Sequence, residues 1–70
     1  MSNSAGYPPL SIRQLECLAL TAAGKSSPEI ARLLGISPRT VDGYISDACK
    51  RLGVRTRVQA VAAAVRAGLI

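Results

Sequence analysis

Nine lysine and arginine side chains stand against four carboxylates, and histidine is absent, in a chain of 70 residues. The chemistry open to such a set is the holding of anions rather than proton transfer. Glu16, Glu29, Asp42 and Asp47 are scattered singly and offer no acid–base pair, so an enzyme is not expected. Cys17 and Cys49 are isolated thiols with no histidine to help complete a zinc site, and neither a metal nor a cofactor is expected. Both fall on or beside apolar helical stripes, where cysteine behaves as a small hydrophobe; a disulfide between them is the minor alternative. A formal charge of +5 and a pI near 10.0 point to a polyanionic partner. No apolar run approaches the roughly 18 residues of a spanning helix, and no signal peptide is visible, so the chain reads as a soluble protein of the cytoplasm rather than a membrane binder.

The cations are unevenly placed. Lys25, Arg39, Lys50, Arg51, Arg55 and Arg57 bracket two successive apolar-periodic segments, whereas Arg13 and Arg66 lie outside and read as solvated surface. Ser26 and Ser27 put hydroxyls and free amides at a helix N-terminus, a ready anion site. Within the bracket runs a polar stripe of Arg39, Asp42, Gly43, Ser46, Asp47 and Lys50, opposite Val41, Ile45, Ala48 and Leu52. A groove-reading helix presents such a stripe to base edges, the plain alternative being a solvated face. Gly43 inside a helix costs about 1 kcal/mol against alanine. Close approach of DNA and drift at an exposed site both account for it. Asp42 is repelled by phosphate. It either accepts from a cytosine amino group or serves its own helix, through the dipole or by pairing with Arg39.

The elements that must position these residues are short helices. Seventy residues make one domain at most. Below roughly 70–80 residues a core rarely supplies more than about 3–5 kcal/mol. Many alanines and only two aromatics, Tyr7 and Tyr44, suit closely packed helices and disfavour a sheet. Residues 1–9 are polar, contain Gly and Pro, and read as a flexible tail or linker remnant. Residues 10–70 form the domain. Ser11 caps a first helix to about Ala23, with Leu15, Leu18, Ala19 and Ala22 inward. Ser26 and Glu29 form a capping box for a second helix to Leu34, burying Ile30, Leu33 and Leu34. Gly35-Ile36-Ser37 leaves room only for a sharp corner, in which Gly35 turns left-handed and Ile36 fills the angle. Ser37 and Pro38 then open a third helix over about 38–51. This corner is the helix-turn-helix signature, whose second helix enters the major groove. Thr56 and Gln59 open a fourth helix to about Ala67. Its inward stripe is Val58, Val61, Ala62 and Val65. Ala60, Ala63, Ala64 and Ala67 line the other side, as a self-association surface or simply an exposed helix. The expected fold is all-α: a three-helix core plus a C-terminal helix, with no wing.

Leu10-Ser-Ile-Arg-Gln-Leu-Glu16, Ala23-Gly-Lys-Ser-Ser-Pro-Glu-Ile-Ala31, Leu34-Gly-Ile-Ser-Pro-Arg-Thr-Val41 and Lys50-Arg-Leu-Gly-Val54 follow one another in order, with Gln59-Ala-Val61 and Gly68-Leu-Ile70 behind them. Together they resemble the LuxR-type DNA-binding domain of bacterial transcription regulators, over about residues 10–70. The resemblance implies a sequence-specific regulator that binds two-fold related sites as a homodimer through its fourth helix, with RNA polymerase as a further partner. It implies base reading by Asp42, Gly43 and Ser46, and phosphate contacts from Lys25, Ser26, Ser27, Arg39, Thr40 and Lys50. Gly24-Lys-Ser-Ser27 and Ala48-Cys-Lys50 look most like the quorum-sensing branch, whose parents bind acyl-homoserine lactones through an N-terminal domain missing here. The chain departs from the family at Tyr44, where many members carry histidine, and at Asp42 and Gly43, where basic or bulky residues are common. Those departures bear on DNA sequence preference. A protein-interaction module of the same fold, docking a regulator or polymerase subunit through its first or fourth helix, is the alternative function.

Overall fold

The computed structural model describes residues 10–70, and the expected tail at 1–9 lies outside them. Four helices follow in order: α1 Ile12–Ala22, α2 Ser27–Leu34, α3 Pro38–Leu52 and α4 Arg57–Arg66, with no strand among the described residues. Each helix starts where a short polar side chain can take up an amide that the helix leaves unpaired. Ser11, Ser26, Ser37 and Thr56 accept from the backbone of Gln14, Glu29, Thr40 and Gln59. Gln14, Glu29 and Gln59 reach back to the cap amide, so three of the four starts are full capping boxes. The box at Ser11 and Gln14 adds to the cap read from the sequence.

Three residues, Gly35 to Ser37, join α2 to α3. Gly35 sits at φ 71°, a conformation in which a side chain would clash with the following carbonyl. Its turn lets the Ile36 amide close back on the Ala31 carbonyl at 3.0 Å, and Ile36 packs against the core in the corner so formed.

α3 touches all three other helices and α1 touches both α2 and α4, while the backbones of α2 and α4 do not approach one another. The core is Cys17 and Leu18 from α1, Ile30 and Ala31 from α2, Val41, Ile45, Ala48 and Cys49 from α3, and Ala60 and Ala64 from α4. Both thiols are free and buried, and burial pushes that of Cys17 up. The stripe expected on α3 is in place, with Leu52 half-buried at its end.

Three other helix faces differ from expectation. On α1 the inward positions are Gln14, Cys17 and Leu18, one residue round from the expected set, and Ala19 and Ala22 are exposed. Gln14 goes inside because its amide oxygen is already used by the Ser11 N–H, so little polar capacity is lost. On α2, Ala31 is buried and Leu33 is 62% exposed. On α4 Val61 packs half-buried against the core as expected, but the other inward positions differ. Ala60 and Ala64 are fully buried, whereas Val58 and Val65 are 74% and 54% exposed. Ala60 and Ala64 therefore leave the expected self-association surface, and Ala63 and Ala67 are half-buried at its edge. Alanine at the contact lets α4 lie close on α1 and α3, and close approach keeps more atoms within dispersion range than valines would allow.

Enlarging either buried methyl tests this arrangement. Ala60→Leu and Ala64→Leu are expected to lower unfolding free energy by about 1–3 kcal/mol through overpacking. Val58→Ala and Val65→Ala are expected to stay within about 0.5 kcal/mol of the parent, as exposed sites do, in urea titrations followed by circular dichroism.

Candidate nucleic-acid interface

With Val41, Ile45 and Ala48 turned inward, helical periodicity leaves Arg39, Thr40, Asp42, Gly43, Ser46, Asp47 and Lys50 exposed on α3. Lys25 and Ser26 are exposed beside it at the start of α2, and Ser27 is half-buried. The phosphate-binding and base-reading candidates thus share the α3 surface and the adjoining α2 N-terminus. No ion pair ties Lys25, Arg39 or Lys50 to a carboxylate among the described residues.

Four of the candidates, Ser26, Thr40, Ser27 and Asp42, have work inside the molecule. The Ser26 hydroxyl accepts from the Glu29 amide at 3.3 Å, and the Glu29 carboxylate accepts from the Ser26 amide at 2.8 Å. That amide is therefore not free for an anion, a correction to the sequence reading. The same two bonds hold the Glu29 carboxyl below its usual range. Thr40 is likewise engaged, its hydroxyl lying 2.9 Å from that of Ser37.

Asp42 does not pair with Arg39. Its Oδ1 accepts from the Ser27 hydroxyl at 2.6 Å and from Arg57 Nη2 at 3.1 Å, and Arg57 Nη1 donates to the Ser27 oxygen at 3.3 Å. One carboxylate oxygen therefore joins the starts of α2 and α4 to the outer face of α3. The Ser27 hydroxyl first, then the Arg57 guanidinium, hold the Asp42 carboxyl below its ordinary value. Sequence reasoning counted Arg57 only among the cations bracketing the two helices and missed this triad. Its partners stand 15 and 30 residues apart, beyond any helical spacing rule.

At Gly43 an added Cβ would meet nothing within 4 Å. Internal fit therefore gives no reason for glycine in the middle of α3.

Against this geometry, a family model described as bacterial regulatory proteins, luxR family, matches residues 8–64. The chain belongs to the LuxR family. Among LuxR-family relatives, the transcriptional activator protein VanR of Vibrio anguillarum is 46% identical over 61 residues, which are 87% of this chain and 25% of the relative. The transcriptional activator protein LuxR of Aliivibrio fischeri is 36% identical over 70 residues, covering all of this chain and 28% of that protein. The chain thus spans about a quarter of the length of these curated relatives. The solved structure of the transcription factor GerE superposes with a TM-score of 0.83 at 35% identity, over 86% of this chain and 90% of that one. The four helices, with no strand among the described residues, match the LuxR-type fold of that structure.

The open space at Gly43 gives a direct test. Gly43→Ala is expected to stabilise the LuxR-family domain by up to about 1 kcal/mol, because alanine is the better helix former. In a domain of this size that raises the melting temperature by roughly 4–8 °C. Weaker duplex binding by the same variant, measured alongside the melt, identifies close approach as the reason for glycine.

Proposed function

We propose that this chain is the DNA-binding domain of a bacterial transcriptional regulator that acts in the cytoplasm, with α3 lying in the major groove. The observation that carries the reading is the division of α3 into two faces. Three helices clamp its apolar side, and its polar side is left outward beside Lys25, Arg39 and Lys50, which meet no carboxylate among the described residues. Gly43 and Ser46 are the base-reading positions at the centre of that side, with Asp42 at its edge. Lys25, Arg39 and Lys50 supply charge to the phosphates. Ser26, Ser27 and Thr40 add polar contacts to the sugar–phosphate backbone. The reading is of a binding domain and not an enzyme, in keeping with a family of regulatory proteins. No helix among the described residues is long and apolar enough to cross a membrane.

The domain works as a homodimer through α4, on a surface other than the alanine face. Val58, Val61, Ala62 and Val65 recur at i, i+3, i+4 and i+7, and the two outer valines are more than half exposed. A second copy seated on that stripe places two α3 helices on half-sites about 34–36 Å apart, one duplex turn. A small-molecule signal would bind a different, N-terminal domain, and RNA polymerase is a further partner of the assembled regulator.

A protein-interaction module is the second reading, favoured by Ile12 and Leu33, apolar side chains that are 76% and 62% exposed on α1 and α2. Salt dependence separates the two. DNA binding through several phosphates weakens steeply between about 50 and 200 mM salt, whereas a purely protein-docking domain shows little duplex affinity at either.

Two expected outcomes follow from the interface. Arg39→Ala and Lys50→Ala each weaken binding to every duplex sequence and flatten the salt slope by about 0.9 for each phosphate no longer neutralised, in fluorescence-anisotropy titrations. Val65→Glu lowers affinity for a two-fold site more than for a single half-site. Equal losses on the two would rule out the α4 dimer.

A further inference from the structure

The Asp42 triad has the composition of an anion site that is already filled. A hydroxyl and a guanidinium are the donors by which proteins hold a DNA phosphate oxygen. Here both converge on a carboxylate oxygen of the same chain, at 2.6 and 3.1 Å, next to the surface proposed to meet DNA. The cluster is not walled in. Side-chain exposure is 56% for Asp42 and 41% for Arg57. The α2 and α4 backbones, which carry Ser27 and Arg57, do not touch, so side chains alone close the gap between them.

We infer that Asp42 is an internal competitor for DNA phosphate, a specificity-determining residue that occupies Ser27 and Arg57 in the unbound domain. The inference rests on the DNA-binding reading above. Exposed ion pairs contribute little net stability, because water and salt offer each partner nearly equal alternatives. A phosphate can therefore displace the carboxylate, but the exchange swaps one pairing for another and gains less than a free arginine would. It also leaves Asp42 unpaired beside a polyanion. The consequence is weaker binding to duplex of any sequence than the count of cations would give. Hydrogen bonds to base edges then make up a larger share of affinity at the correct site.

The experiment uses the 70-residue chain, a random-sequence duplex, and salt at about 50 and 200 mM. Asp42→Asn keeps the shape and removes the charge. Asp47→Asn, on the same helix face, measures what loss of any nearby carboxylate does. Asp42→Asn is expected to tighten binding more than Asp47→Asn. Its dissociation constant should change more across that salt range, by an additional factor of about 3.5 for one further phosphate neutralised. In an Arg57→Gln background the advantage of Asp42→Asn over Asp47→Asn is expected to vanish. Should Asp42→Asn fail to fold by circular dichroism, Asp42→Ala provides the same comparison with a stronger helix former. Equal effects of the Asp42 and Asp47 variants, or an Asp42 effect that persists without Arg57, would overturn the inference and leave the DNA-binding reading standing. A parent chain that binds no duplex even at the lower salt would overturn that reading itself.

Discussion

Val41 and Ile45, with Ala48 one turn on, anchor α3 against α1, α2 and α4, and the direction of every outward side chain on that helix follows from this anchoring. A helix has about 3.6 residues per turn, so fixing one face fixes the other to within a few tens of degrees. The Gly35 corner sets the angle at which α2 meets α3, and Ile36 fills the corner that a longer loop would leave open. Position on the α3 face is thus a property of the core. Substitution there alters what is presented without altering where it is presented.

α4 answers to the same constraint from the other side. To close the core over α1 and α3 it offers the methyls of Ala60 and Ala64 and turns Val58 and Val65 to water. Area alone would favour the opposite rotation, because a buried valine removes more apolar surface than a buried alanine. Close approach of the backbones outweighs it, since a bulkier residue would hold α4 away and open voids along both neighbours. The exposed valines are the residue of that choice.

What could be read from the chain alone was local. Ser26 with Glu29, Ser37 with Pro38 and Thr56 with Gln59 act within four residues of one another, so their helix starts were legible, as was the left-handed Gly35. The stripe on α3 was legible because its large aliphatic residues, Val41, Ile45 and Leu52, recur at helical spacing on the inward side. On α4 that coincidence fails. Valine is the more hydrophobic residue and alanine the better fit, and only the neighbouring helices decide between them. Leu33 was misplaced for a related reason: α2 is short, and Ala31 takes the inward position that size alone would give to leucine. The pairing of Asp42 was missed for another, since its partners belong to two helices that come near it only in the folded chain. Of the candidate interface, then, the outward placing of most of its α3 residues was visible in the sequence, and the internal pairing of its acidic residue was not.

The inward alanines of α4 carry one more consequence. Ala60 and Ala64, with Val61 half-buried beside them, hold this last helix to α1 and α3 only, so its outward hydrogen bonds should open more readily than those of α3, which three helices cover, and surrender their protons to solvent sooner. Any molecule that settles on the outer valines recognises α4 only while it is docked, and by mass action it must also slow that opening. Assembly on this flank and completion of the fold are then one linked equilibrium, and how firmly the last helix is held becomes a matter of how much of its companion is dissolved alongside it.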